Sequence, residues 1–177
     1  MNDISTKTYI NIPLSSGTFA IVDNNDYDWL SEFKWSAAVL RHTAYAYRSV
    51  RNDSGKRTTL LMHRAIFERH YGKIPEGLFV DHRDRNGINN RISNLRLCTH
   101  SQNMANGIKH KDAKTSLYKG VSFKLNQGLW QAQIGVNGCG IKLGTFSDEI
   151  SAAKAYDRAA QMYFGEFSNI NFPQEER

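Results

Sequence analysis

A chain of 177 residues with 40% hydrophobic and 11% aromatic side chains can bury one large core or two small ones, and no low-complexity tract argues for disorder. A net charge of +6 favours an anionic partner such as nucleic acid without requiring one. Two distant cysteines without CxxC spacing argue against a four-ligand zinc site, and with no apolar leader in Met1–Ile12 and no membrane-length apolar run the expectation is a soluble, cytoplasmic protein.

The first segment runs from about Lys7 to Asn106. Thr8–Ile12 and Thr18–Val22 alternate like strands around a Ser15-Ser16-Gly17 turn. Asp26 is placed to cap a short helix carrying Trp29, Leu30 and Phe33. Trp35–Val50 reads as further strands, and Asn52-Asp53-Ser54-Gly55 as a hairpin turn. Leu60–Tyr71 has helical spacing and stops at Gly72. Leu78-Phe79-Val80 is a short strand that delivers Asp81 and His82 at its end; a polar loop rich in Asn, Asp, Arg and Gly follows. Leu95-Arg96-Leu97 is the next strand, and Thr99 or Ser101 can cap a helix bearing Gln102 and Asn103.

Residues 107–116 form a basic linker with His110 among Lys109, Lys111 and Lys114. It either tracks a phosphate backbone or is a solvated spacer. Residues 117–173 give three strands, Tyr118–Phe123, Leu129–Val136 and Ile141–Phe146, with Asn137-Gly138 as a tight hairpin signal. Ser147 is the expected N-cap of a helix whose Ala152, Tyr156, Ala159, Ala160 and Tyr163 share one face, ending at Gly165. Residues 174–177 are a tail.

The segment from Val80 to Asn103 suits phosphodiester hydrolysis. A hard divalent cation takes oxygen ligands from an Asp and an Asn amide, and a neutral His accepts a proton from water near pH 7. Asn86, Asn89 and Asn90 are read as turn-forming and loop-bracing, His63 as structural, and Cys98 as core.

Asp81-His82, Asn94 and Asn103 at this spacing, with His63-Arg64 upstream, resemble the phage and intron homing branch of the HNH endonucleases, the ββα-metal nucleases. The resemblance implies residues 1–106 as a nuclease domain with a β-rich N-terminal extension. It implies Asp81 and Asn103 as ligands of Mg²⁺ or Mn²⁺, not zinc, with His82 as general base and Asn94 bracing the loop. Arg83 and Arg85 are added as DNA-contact candidates; the commoner pattern has Gly where Arg85 stands.

Tyr118-Lys119-Gly120-Val121, Trp130–Ile134, Leu143–Phe146, Ala152–Ala160 and Asn171-Phe172-Pro173 resemble the AP2 domain, a three-stranded antiparallel sheet that lies in the DNA major groove. The resemblance implies Lys119, Ser122, Lys124, Gln133 and Lys142 as DNA contacts, and Trp130, Phe146, Tyr156 and Phe172 as core. Lys in place of the family's Arg implies looser sequence preference. The expected architecture is therefore α+β. The leading expectation is an endonuclease acting on double-stranded DNA in a bacterial or phage-infected cell, with a monomer favoured. A non-catalytic DNA-binding regulator that keeps the nuclease fold is the alternative, and an RNA-directed protein the weaker third.

Overall fold

The computed structural model describes residues 8–40, 43–108 and 115–173; His42 and most of the basic linker, His110 included, lie outside the described residues. The chain is α+β and folds as two compact units, Met1–Leu97 and Cys98–Arg177.

In the first unit, β1 (Tyr9–Pro13) and β2 (Phe19–Asp23) form an antiparallel hairpin around a turn in which Gly17 takes φ +82°. Helix α1 (Asn24–Ser31) follows at once. It starts two residues before the expected cap: Asp26 lies inside the first turn, buried, and binds Trp29 Nε1 (3.1 Å) and His70 Nε2 (3.0 Å). The carboxylate of Asp23, just before the helix, is taken up by Arg91 Nε (3.1 Å) and the Ile92 N–H (2.7 Å), so α1 has no side-chain cap. Phe33 falls beyond the end of the helix. Strands β3 (Ser36–Val39), β4 (Ala44–Arg51) and β5 (Arg57–Leu61) make an antiparallel meander, and the Asn52–Gly55 turn joins the last two. Helix α2 (Met62–Tyr71) stops at Gly72, where φ is +81°. Its inner face meets Ile12, Val22, Leu30 and Trp35 in the core, and Trp35 Nε1 donates to the Leu30 carbonyl at 2.9 Å. Strands β6 (Phe79–His82) and β7 (Leu95–Cys98) pair as a two-stranded sheet.

The second unit opens with helix α3 (His100–Asn106), held by a capping box in which the Thr99 hydroxyl accepts from Gln102 N–H and the Gln102 carbonyl oxygen accepts from Thr99 N–H. Sequence had grouped this helix with the preceding segment; Ala105 instead joins the second unit's core with Ile134, Tyr156, Ala160 and Phe164. Strands β8 (Val121–Lys124), β9 (Leu129–Val136) and β10 (Cys139–Phe146) form an antiparallel sheet in the order β10-β9-β8. Asn137 and Gly138, at φ +49° and +80°, give the tight turn between the last two. Helix α4 (Glu149–Phe164) packs on the sheet through Ala152, Ala153, Tyr156 and Ala160. Its N-cap is Asp148, not Ser147: the Asp148 carboxylate accepts from Ser151 N–H at 2.8 Å. Tyr163 is 42% exposed and Phe164 takes the inner position expected of it. Asp157, buried on α4, accepts from Asn171 N, Asn171 Nδ2 and Phe172 N at 2.8–2.9 Å and fastens the C-terminal segment to the helix.

Gly120 carries the strictest backbone requirement of the second unit. Its φ is +75°, and a Cβ there would lie 1.9 Å from the Tyr156 ring and 2.7 Å from the Gln133 carbonyl. Gly120→Ala is expected to destabilise this unit by about 2–5 kcal/mol, the sum of a left-handed penalty and an overpacked core. Gly138→Ala meets nothing within 4 Å and costs only the first part. Urea titration followed by Trp130 fluorescence checks both; equal midpoints for the two variants would rule out the steric contribution.

Candidate active site

Strand β6 ends on Asp81 and His82, both buried at its C-terminal end. Arg96, alternating with apolar neighbours on β7, turns its equally buried guanidinium onto Asp81: Nε and Nη2 each lie 3.0 Å from Oδ2. An ion pair removed from water in this way holds the carboxylate in one orientation.

The loop between the strands is closed by side chains. Asn94 Oδ1 accepts from Asp84 N–H (3.1 Å), while Asn94 Nδ2 donates to Asp84 Oδ1 (2.9 Å) and to the Asn89 carbonyl (2.8 Å). The Arg83 N–H donates to the Asn94 carbonyl at 2.8 Å. Asp84 also accepts from Asn86 N–H and Asn89 Nδ2 at 2.8 and 2.7 Å. The loop is anchored outward by Asp23 and by Thr43, whose hydroxyl accepts from Gly87 N–H at 2.8 Å. A polar loop with so many internal bonds gives the strand end a fixed shape.

His82 lies against the rings of His63 and Tyr45, with centroids 4.8 and 5.7 Å away. Its Nε2 is 3.1 Å from Asn90 Oδ1. Burial pulls the His82 pKa below the ordinary histidine value, against the Asn90 hydrogen bond and the charges of Asp84 and Asp81, which raise it. His63 is pulled further, to about 3, by burial and by its positions beside His82 and Arg64. Its Nδ1 is buried with no hydrogen-bond partner among the described residues.

Asp81, His82 and Asn94 are thus brought together in the first unit, while Asn103 sits part-exposed on α3 of the second. Arg83 and Arg85 are exposed on the loop, and Arg85 holds φ +63° at the position where the resemblance leads one to expect glycine. In the sheet, Trp130, Ala132 and Ile134 face α4, so alternation sends Gln133 to the opposite face. Lys142 lies directly opposite Gln133, and Ser122 and Lys124, on β8, also point away from α4.

Lys119 requires a correction. Its ammonium donates to the carbonyls of Met104 (3.3 Å), Ala105 and Gly107. It closes the C-terminal end of α3, where the helix dipole favours a cation, and does not join the outward-facing side chains of the sheet.

Two residues of the site escaped the sequence. Arg96 had a usable signal, a cation between two leucines on a strand paired with that of Asp81. Asn90, fully buried, had none: an Asn in an Asn-rich loop reads as a turn residue.

Among the described residues no three His, Cys, Asp or Glu side chains converge as a metal cluster. No helix is long and apolar enough to cross a membrane.

Residues 60–105 match the HNH endonuclease family. Over 156 residues the chain is 35% identical to an uncharacterized HNH endonuclease of Acanthamoeba polyphaga mimivirus, covering 88% of this chain and 75% of that protein. It is 33% identical over 76 residues to Protein 3.8 of Escherichia phage T7, across 43% of this chain and 62% of the relative. A 60-residue stretch, 34% of the chain, is 48% identical to an AP2/ERF and B3 domain-containing protein of Oryza sativa subsp. japonica, of which it covers only 16%.

Proposed function

This chain belongs to the HNH endonuclease family, and from that premise we propose that it hydrolyses phosphodiester bonds of duplex DNA with Mg²⁺ or Mn²⁺, the sheet of the second unit positioning the substrate. The observation that carries this reading is the end of β6, where a buried imidazole stands next to a buried carboxylate oriented by Arg96.

The donor set fits a hard divalent cation. Asp81 offers a carboxylate oxygen and Asn103 an amide oxygen, and the absence of a larger cluster among the described residues suits an ion that completes its shell with water and phosphate oxygens. When bound, the cation stabilises charge on the phosphate and on the leaving oxygen. His82 accepts the proton of the attacking water, which its burial favours by keeping the imidazole neutral at pH 7. Asn94 keeps the loop closed, so His82 does not drift from the strand end. Arg83 and Arg85 offer exposed cations to the phosphate backbone beside the loop. On the second unit, Ser122, Lys124, Gln133 and Lys142 form a polar, cationic sheet face suited to a groove. Lysines on that face supply attraction with little base geometry, which makes the sheet an anchor more than a strict sequence reader. The AP2-like match over 34% of the chain supports this assignment.

Incubation of the full-length protein with supercoiled plasmid tests the reading. Cleavage in Mg²⁺ or Mn²⁺ that disappears in EDTA is the expected result. Plasmid left unchanged under all conditions would sink it.

A further inference from the structure

We propose that Asn90 is a positioning residue for His82: its side-chain amide, locked by the loop, holds the imidazole proton on Nε2 and so makes Nδ1 the nitrogen that can accept a proton. The inference rests on the assignment of His82 as base and adds which of its nitrogens is basic and what decides it.

The argument is one of donors and acceptors. Asn90 is fully buried, and its Nδ2 lies 3.2 Å from the Ile88 carbonyl and 3.6 Å from the Met62 sulfur. A carbonyl oxygen only accepts, so the NH₂ end must face Ile88; the flipped amide would set two oxygens against each other. The Asn90 oxygen is therefore the end that meets His82 Nε2, 3.1 Å away. An amide oxygen also only accepts, so Nε2 must be the protonated nitrogen. A neutral imidazole has one N–H, which leaves the lone pair on Nδ1.

The amide is itself held from outside. The Asn90 N–H donates to the Ile21 carbonyl at 2.8 Å, and Ile21 N–H donates to the Ile88 carbonyl at 2.8 Å, so β2 pins both Asn90 and its acceptor. The His63 and Tyr45 rings limit rotation of His82 from the other sides. Asn90 touches neither Asp81 nor Asn94 through any of these bonds, and its action runs through the imidazole alone.

The test is heteronuclear NMR of the ¹⁵N-labelled full-length protein, metal-free in EDTA at pH 7.5, with His82 identified by the signal missing in His82→Gln. Wild type is expected to show the Nε2–H form alone. Asn90→Ala, and Asn90→Leu as a volume-preserving second variant, are expected to show averaged nitrogen shifts of a tautomer mixture. Circular dichroism checks that each is folded. With Mg²⁺ added, both should lose about 10- to 100-fold in single-turnover plasmid cleavage with KM unchanged. An Nδ1–H form in the wild type overturns the proposal whatever the variants do, and so does a folded variant that keeps the wild-type tautomer. A wild type that shows the Asn90-dependent Nε2–H form but never cleaves DNA would instead leave Asn90's role standing and overturn the nuclease reading.

Discussion

Replacing His82 with alanine is expected to slow DNA cleavage by about 10²- to 10⁴-fold in single-turnover conditions, the range over which a positioned general base contributes. That corresponds to roughly 3–5 kcal/mol of transition-state stabilisation. The loss should fall on the chemical step. His82 is 4% exposed at the end of β6, so its removal takes away no surface that duplex DNA could touch, and affinity for the plasmid should be unchanged. The pH profile of the wild type carries a second mark. Burial lowers the His82 pKa, and a base works in its deprotonated form, so activity should persist to pH values below the ordinary histidine pKa of about 6.5 before it falls. Rates measured at saturating Mg²⁺ from pH 5 to 8 check both points. An alanine variant within a few-fold of wild type would remove His82 from the reaction.

The second large effect is on stability. His63 is 6% exposed and has a folded-state pKa of about 3, whereas the unfolded chain titrates it near 6.5. The unfolded state therefore binds the extra proton throughout that interval. The stability contributed by neutral His63 is fully present above pH 6.5 and is lost as pH falls through the interval toward 3. At about 1.4 kcal/mol per pH unit, the total reaches roughly 5 kcal/mol, comparable with the whole stability of a small domain. His63→Leu keeps the bulk and removes the titration. Urea midpoints followed by tryptophan fluorescence, with Trp29 and Trp35 reporting on this unit, should fall steeply from pH 7 to 4.5 in wild type and less steeply in the variant. Parallel pH dependences would exclude His63 as the source.

Much of the architecture around these two histidines is written in apolar spacing. Leu78–Val80 and Leu95–Leu97 bracket a polar run, and the strands, the loop and the capped helix after Thr99 stand where that pattern puts them. The hairpin at Asn137-Gly138 and the stops at Gly72 and Gly165 were legible because each needs a positive φ that glycine or asparagine supplies. What could not be read depends on partners far along the chain. Asp23 is committed to Arg91 and Ile92, so the start of α1 follows no local capping rule. Asp26 serves His70 from 44 residues away. Lys119 looks like any exposed strand-edge lysine until the carbonyls of α3 meet it. Asn90 and Asn94 sit four residues apart in one polar loop with similar local context, yet one holds the loop and the other holds the imidazole. Only the fold distinguishes them.

The placement of α3 bears on how this protein can be cut and recombined. The family match ends at residue 105, and the basic stretch after it looks like the natural seam for excising either half. The folded seam lies earlier, between Leu97 and Cys98. A cassette beginning after residue 106 would leave behind Ala105, which fills the core beside Phe164, and would strip Lys119 of the carbonyls it caps. Grafting the sheet onto another enzyme as a targeting module therefore means carrying α3 along, and with it Asn103. Seen as inheritance, the helix that closes the nuclease signature travels with the DNA-positioning half.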